Sequence, residues 1–266
     1  MSNNDWNRNV SKYGNFEQAV ALGKINGYSS VFLFGVNLDI DTGVEEDLVP
    51  WGVYTFQDPN NPVPFYISST SISDVGLQYI ALLIDRGFKQ HTVVGTTDGQ
   101  NAVQLVAPDG TDTFIRGNVL FNNSEGGVSS IGDVFVGVSD SPAGGEPEDS
   151  DKVLGAYSED QQSLLGLYTI PKGSTGLLTS LVVTTDGNSS GSSEIFLNTR
   201  TDNRPKRRRA EVGVQVSGSS SLDYNFKYPV RFSEKTDIWL SVEASNNNTA
   251  LSGGFQLLVV EEDKIG

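Results

Sequence analysis

The sequence predicts an all-β chain: two antiparallel β-sandwiches of jelly-roll-like type in tandem, behind a short N-terminal arm or helix. Three observations carry that prediction. Short apolar segments rich in β-branched and aromatic residues recur between turn signals. Glycine is plentiful at 29 residues, while charged residues make up only 19%, low for a helical surface. Helical spacing occurs once and briefly, from Asn15 to Leu22, with Asn15 as cap and Phe16, Ala19 and Val20 on one side.

Taken in order, residues 1–24 form the arm. Residues 25–139 then carry the strand-like segments Val53–Phe56, Tyr79–Ile84, Val103–Val106, Phe114–Arg116 and Asp133–Val138. Asp58-Pro59-Asn60, Asp98-Gly99, Asp109-Gly110 and Glu125-Gly126-Gly127 supply the turns between them. Residues 140–151 combine Pro142, Gly144, Gly145 and Pro147 with Asp140, Glu146, Glu148, Asp149 and Asp151, which reads as a solvated acidic linker. Residues 152–266 repeat the strand pattern at Leu165–Ile170, Leu177–Val183, Glu194–Asn198, Val212–Val216, Asp237–Val242 and Phe255–Val260. Several of these alternate apolar with polar side chains, as a strand buried on one face does.

Composition narrows function. The absence of cysteine removes disulfides, thiolate nucleophiles and Cys-ligated metal sites. A single histidine, His91, excludes an intrachain His–His metal pair. A net charge of −15 argues against wrapping nucleic acid and against docking on an anionic membrane. The first residues have neither a basic nor an apolar leader segment, so synthesis in a cytoplasm is expected.

No catalytic motif assembles from these residues. There is no G-x-S-x-G elbow, no phosphate-binding Gly loop, and no rule for choosing one carboxylate pair out of 33 acids for glycoside hydrolysis. His91, in a polar approach to a strand, reads as an exposed structural residue. The chain is expected to be no enzyme and to need no cofactor.

Three groups remain as candidates for binding. The acidic segment Asp39–Asp47 offers Asp39, Asp41 and Glu45 as calcium ligands. An EF-hand loop needs Gly at its sixth position and Glu at its twelfth, whereas Gly43 is fifth and Pro50 twelfth, so a solvated loop is the plainer reading. The basic run Arg204, Lys206, Arg207, Arg208 and Arg209, broken by Pro205, reads equally as a solvated hairpin tip or as a contact with an acidic neighbouring surface; nucleic acid is not the expected partner. Trp6, Tyr13 and Phe16 crowd a polar N-terminus and are candidate anchors for a partner. Exposed Trp239, Tyr224 or Tyr228 would suit a tail or fibre module that binds host glycan, although Trp239 sits in a strong strand and reads as core.

At Phe34–Gly43, Glu46-Asp47 and Trp51-Gly52 the sequence resembles a family of virion structural proteins of tailed bacteriophages. The resemblance continues at Ile131–Gly137, Tyr168–Gly173, Phe232–Ile238, Asn246-Asn247-Asn248 and Ser252–Phe255, so ordered patches cover most of the chain. It implies a structural role in the virion and supplies no catalytic residues. A multi-copy capsid-associated component, decoration or vertex, is the expectation. Its partners would be other virion proteins and its own copies, as a homo-oligomer such as a trimer.

Overall fold

The computed structural model describes residues 19–20, 23–185, 190–202, 204–217 and 220–264. In chain order the strands are β1 (Tyr28–Ile40), β2 (Glu45–Asp47), β3 (Tyr66–Ser69), β4 (Val75–Ile84), β5 (Gln90–Asp98), β6 (Val103–Gln104), β7 (Arg116–Asn122) and β8 (Val134–Gly137). They continue as β9 (Lys152–Ala156), β10 (Leu167–Thr169), β11 (Ser174–Thr185), β12 (Ser190–Thr201), β13 (Arg207–Ser217), β14 (Ser220–Phe232), β15 (Thr236–Ala244) and β16 (Thr249–Glu261). The all-β class is as the sequence predicts.

One sheet runs β1-β16-β11-β14, and its companion runs β10-β15-β12-β13 with β2 beside β15. From β10 to β12 and again from β13 to β16 the chain crosses between these sheets, and every pairing in them is antiparallel. That is the two-sheet path of a jelly roll. Leu33, Leu181, Phe255 and Leu257 from one sheet meet Ile195, Leu197, Ile238 and Leu240 from the other in a continuous buried core. Strands β3 to β9 build the remaining sheets, β6-β3-β8-β9 and β5-β4-β7. Ile67, Val134, Val136 and Leu154 pack there against Tyr79, Leu83, Val93 and Leu120.

The pairing corrects the expected division at residues 140–151. β1 and β2, assigned to the first sandwich, pair with β16 and β15; β9, assigned to the second, pairs with β8. The unit β3–β9 is therefore inserted within the jelly roll, after β2 and before β10. Residues 140–151 are no linker but the loop of the β8–β9 hairpin. Gly145 and Pro147 are buried in it. Ser68 Oγ donates to the Gly145 carbonyl at 2.8 Å, and Lys152 Nζ holds Glu146 at 2.6 Å and Asp149 at 2.8 Å. Lys152 gathers two of the acids that made the segment look self-repelling.

The exit and return of the insertion are joined. Leu48 N–H donates to the Leu240 carbonyl, Gly166 N–H to the Leu48 carbonyl and Leu240 N–H to the Gly166 carbonyl, each at 2.9 Å. β1 crosses so closely that a Cβ on Gly35 would lie 2.2 Å from both the Leu48 oxygen and the Gly166 nitrogen.

β15 forms the wall between the two cores. Every residue from Thr236 to Val242 is buried. Ile238, Leu240 and Val242 enter the jelly-roll core, while Trp239 enters the core of the insertion.

Local differences from the sequence reading have local causes. Val53–Phe56 is not a strand: Val53 N–H bonds the Trp51 carbonyl and Tyr54 N–H bonds Asp47 Oδ2, so no neighbouring strand is engaged. Tyr54 still fills the core of the insertion, with Phe56 packed against it. β5 and β14 carry no strand signal in the sequence, because Thr, Gln, Asn and Asp dilute their apolar pattern. Of the expected helix, Ala19 and Val20 are helical and buried against Ile25; the rest lies outside the described residues.

Candidate functional site

β13 carries its basic residues on two faces. Strand alternation sends Lys206 and Arg208 one way and Arg207 and Arg209 the other. A register shift beside Leu197 leaves Arg209 between the pairs Leu197–Ala210 and Asn198–Arg208. On the first face, Lys206 Nζ contacts Glu45 Oε1, and Arg208 Nη2 lies 3.2 Å from Glu45 Oε2. Arg208 also reaches Glu211 at 3.6 Å and stacks over the Phe196 ring, 3.4 Å from its centroid. Ser241 Oγ and Asn198 Nδ2 complete the donors to Glu45. Desolvation opposes its charge, but the hydrogen bonds from Lys206 and Ser241 and the nearby charges of Lys206 and Arg208 prevail. The Glu45 carboxyl is held below its ordinary range.

The three acids weighed as calcium ligands lie in this arrangement. Glu45 faces two cations, the Asp39 carboxylate accepts from Asn248 Nδ2 at 2.8 Å, and Asp41 N–H donates to Glu46 Oε1 at 2.8 Å. These carboxylates do not converge, and no group of three or more His, Asp or Glu suited to a metal ion occurs among the described residues.

The second face of β13 is different in kind. Arg204, Arg207 and Arg209 line a cleft of about 220 Å³ with Thr199, Thr201 and Ser233. An adjoining cleft of about 290 Å³ shares Thr201, Arg209 and Ser233 with it and adds Arg231 and Thr236. Arg209 Nε is oriented by Thr199 Oγ1 at 3.3 Å. The sequence presented the basic run as one patch; the structure divides it into a neutralised half and a free half.

Other expectations fall as follows. Trp6, Tyr13 and Phe16 lie outside the described residues. Trp239 is core, as expected, with its ring 5.1 Å from that of Phe56. Tyr224 and Tyr228 are exposed on β14, where residues 226–229 bulge out between the pairs Ser180–Asn225 and Leu178–Val230. His91 is buried rather than exposed. On β5 the inward set is His91, Val93, Gly95 and Thr97. His91 Nε2 sits 2.9 Å from Asp85 Oδ2 and Nδ1 3.5 Å from Asp109 Oδ1.

The sequence offered no signal for the largest fully buried side chain. Arg116, on β7 of the insertion, is fully buried; its Nε and Nη2 lie 3.1 and 3.2 Å from the two oxygens of Asp237, on β15 of the jelly roll. Arg200 approaches Asp237 Oδ2 at 2.9 Å, and Thr169 Oγ1 donates to Oδ1 at 2.7 Å. Both guanidiniums pack over the Phe56 ring, Arg116 at 5.0 Å and Arg200 at 4.1 Å from its centroid. Such pairs form only in three dimensions, across 121 residues of chain. Nearby, burial pushes the Asp47 carboxyl up to about 6, against the opposing pull of the Tyr54 N–H, Lys206 and Trp239.

A cleft of about 430 Å³ between Val36, Leu38, Pro50, Tyr157 and Leu164 contains Asp133, Glu159 and Asp160. Asp133 Oδ1 accepts the Ser158 N–H at 2.8 Å, so this carboxylate closes a turn.

No family model matches the chain, and no curated protein matches it. Among solved structures, a chain from the structure of infectious bursal disease virus Gt strain aligns over 90% of this chain and 74% of its own, at 12% identity and a TM-score of 0.25. A superposition that loose carries no argument about fold or function.

Proposed function

We propose that the chain is a non-enzymatic structural protein of a tailed-phage virion, a multi-copy component associated with the capsid. The observation that carries the reading is where the family-like patches fall. Phe34-Gly35 lies opposite Gly253-Gly254, and Tyr168 lies opposite Ile238. Asp237 binds Arg116 across the junction, and Ile131 and Gly132 bond the buried Asp74 through their N–H groups, each at 2.9 Å. The resemblance thus runs through paired strands of the jelly roll, through a buried tie inside the insertion and, at Asp237, through the junction between the two, as it would in proteins related by architecture rather than by a reacting site. Jelly rolls build viral capsid domains and also lectins, so the fold class alone ranks neither.

The buried polar groups support a scaffold. Asp74 and Asp237 have their oxygens taken by neighbouring donors, which leaves them no freedom to act on a substrate. Association with its own copies and with neighbouring virion proteins follows from the same reading, a closed ring being the ordinary solution on a symmetric shell.

Electron microscopy of intact particles labelled with an antibody to this chain tests the proposal. Regularly spaced label on heads is the expected result. Label confined to fibres would instead favour the glycan-binding reading, which keeps Tyr224 and Tyr228 as its exposed aromatics. Unlabelled particles, before and after gentle disruption, would overturn both.

A further inference from the structure

We propose that the free face of β13 binds a tetrahedral oxyanion, a phosphate or sulfate group, in the groove formed by Arg204, Arg207, Arg209, Arg231, Thr201 and Ser233. The inference is independent of the virion reading. It starts from an asymmetry in a chain of net charge −15, where a cation is expected to find a carboxylate. Lys206 and Arg208 have done so, through Glu45 and Glu211. Arg204, Arg207, Arg209 and Arg231 form no ion pair among the described residues, although they border two clefts that share Arg209.

Clustered cations repel one another, at a cost that a bound anion removes. The ligand class follows from the donors. One guanidinium fork satisfies a carboxylate in bidentate fashion. Several forks with hydroxyls beside them match a centre bearing three or four oxygens and close to two charges. The hydroxyls are already ordered: Thr201 Oγ1 lies 3.0 Å from Thr236 Oγ1, which is 3.4 Å from Ser233 Oγ. The groove also has fixed walls. Arg207 and Arg209 belong to β13, Arg231 to β14, and Ser233 and Thr236 flank the turn into β15. A free ion and a phosphorylated saccharide present the same group, and the chemistry of recognition is the same.

Calorimetric titration of the full chain at low ionic strength, with inorganic phosphate, glucose 6-phosphate and poly-L-glutamate as separate probes, tests the proposal. Saturable binding of inorganic phosphate is expected, weakened about tenfold or more by Arg207→Gln/Arg209→Gln. Arg231→Gln, on a separate strand, weakens it likewise, whereas Lys227→Gln, whose ammonium lies 5.6 Å from the Tyr228 ring, leaves it unchanged. Tighter binding of glucose 6-phosphate would identify a phosphorylated saccharide as the source; equal binding would identify the free ion. Absence of saturable phosphate binding overturns the proposal. So does binding unaltered by both variants, or polyglutamate binding as tightly as phosphate, which would assign the groove to an acidic partner.

Discussion

The N–H of Gly166 donates to the carbonyl of Leu48 at 2.9 Å, joining the residue at which the chain leaves the jelly roll to the residue at which it returns. Both bond Leu240 on β15, and β1 passes over them at Gly35. The insertion is therefore held at its root by backbone bonds. Deeper in the junction, Arg116 and Asp237 tie it to the same strand.

Gly35→Ala is expected to be among the most damaging small substitutions. Its methyl group would meet two backbone atoms at 2.2 Å, and backbone cannot rotate aside as a side chain does. A loss of about 3 kcal/mol or more is expected, read from denaturant midpoints. Gly213→Ala is the control: it meets nothing within 4 Å and should change stability little.

Removing Asp237 leaves two guanidiniums facing each other, one of them fully buried. Asp237→Ala should cost about 3–5 kcal/mol, and Arg200→Gln, at a partly exposed site, about 1 kcal/mol. Replacing both members of the buried pair, Arg116→Met with Asp237→Leu, should cost less than the two single changes summed. A double-mutant cycle in urea measures this; additive losses would show that the pair is not coupled.

Asp47 makes stability fall as pH rises through the acid range. The folded state keeps its proton up to about pH 6, while the unfolded chain releases it near 3.8, so the folded state binds more protons between those values. Asn at this position can still accept the Tyr54 N–H and carries no charge to desolvate. The stability of Asp47→Asn relative to wild type should rise by about 2 kcal/mol from pH 4 to pH 6.5 and then level off. Parallel stability curves for the two proteins would contradict the assignment.

Glu45 is clamped by Lys206 and Arg208 at partly exposed positions, so Glu45→Gln should cost no more than about 1 kcal/mol, less at high salt. Because the same clamp already neutralises Glu45, calcium should leave the thermal midpoint unchanged. A calcium-dependent rise that Glu45→Gln removes would restore the calcium site.

How far the sequence could be read depended on whether the signal was local. Alternation and turn residues located β4, β8, β11, β12, β15 and β16, and the class followed from them. Connectivity was hidden: nothing in Tyr28–Ile40 tells that β1 pairs with β16 at the far end of the chain. Composition misled at 140–151, where Pro, Gly and acids resemble a linker until Lys152 is placed among them. It misled again at His91, whose polar neighbours Gln90 and Thr92 take the alternate, less buried positions of β5. At the candidate site, the basic run was legible as charge. Its division into two faces required the register of β13 on β12 and the approach of Glu45, 163 residues away from Arg208.

The proposed role is that of a structural part of a tailed-phage virion. Quantitative mass spectrometry of gradient-purified particles tests it most directly. The chain is expected to co-purify with the particles at a fixed stoichiometry of many copies, comparable with other shell components. Its abundance in infected cells together with its absence from purified particles would contradict the account.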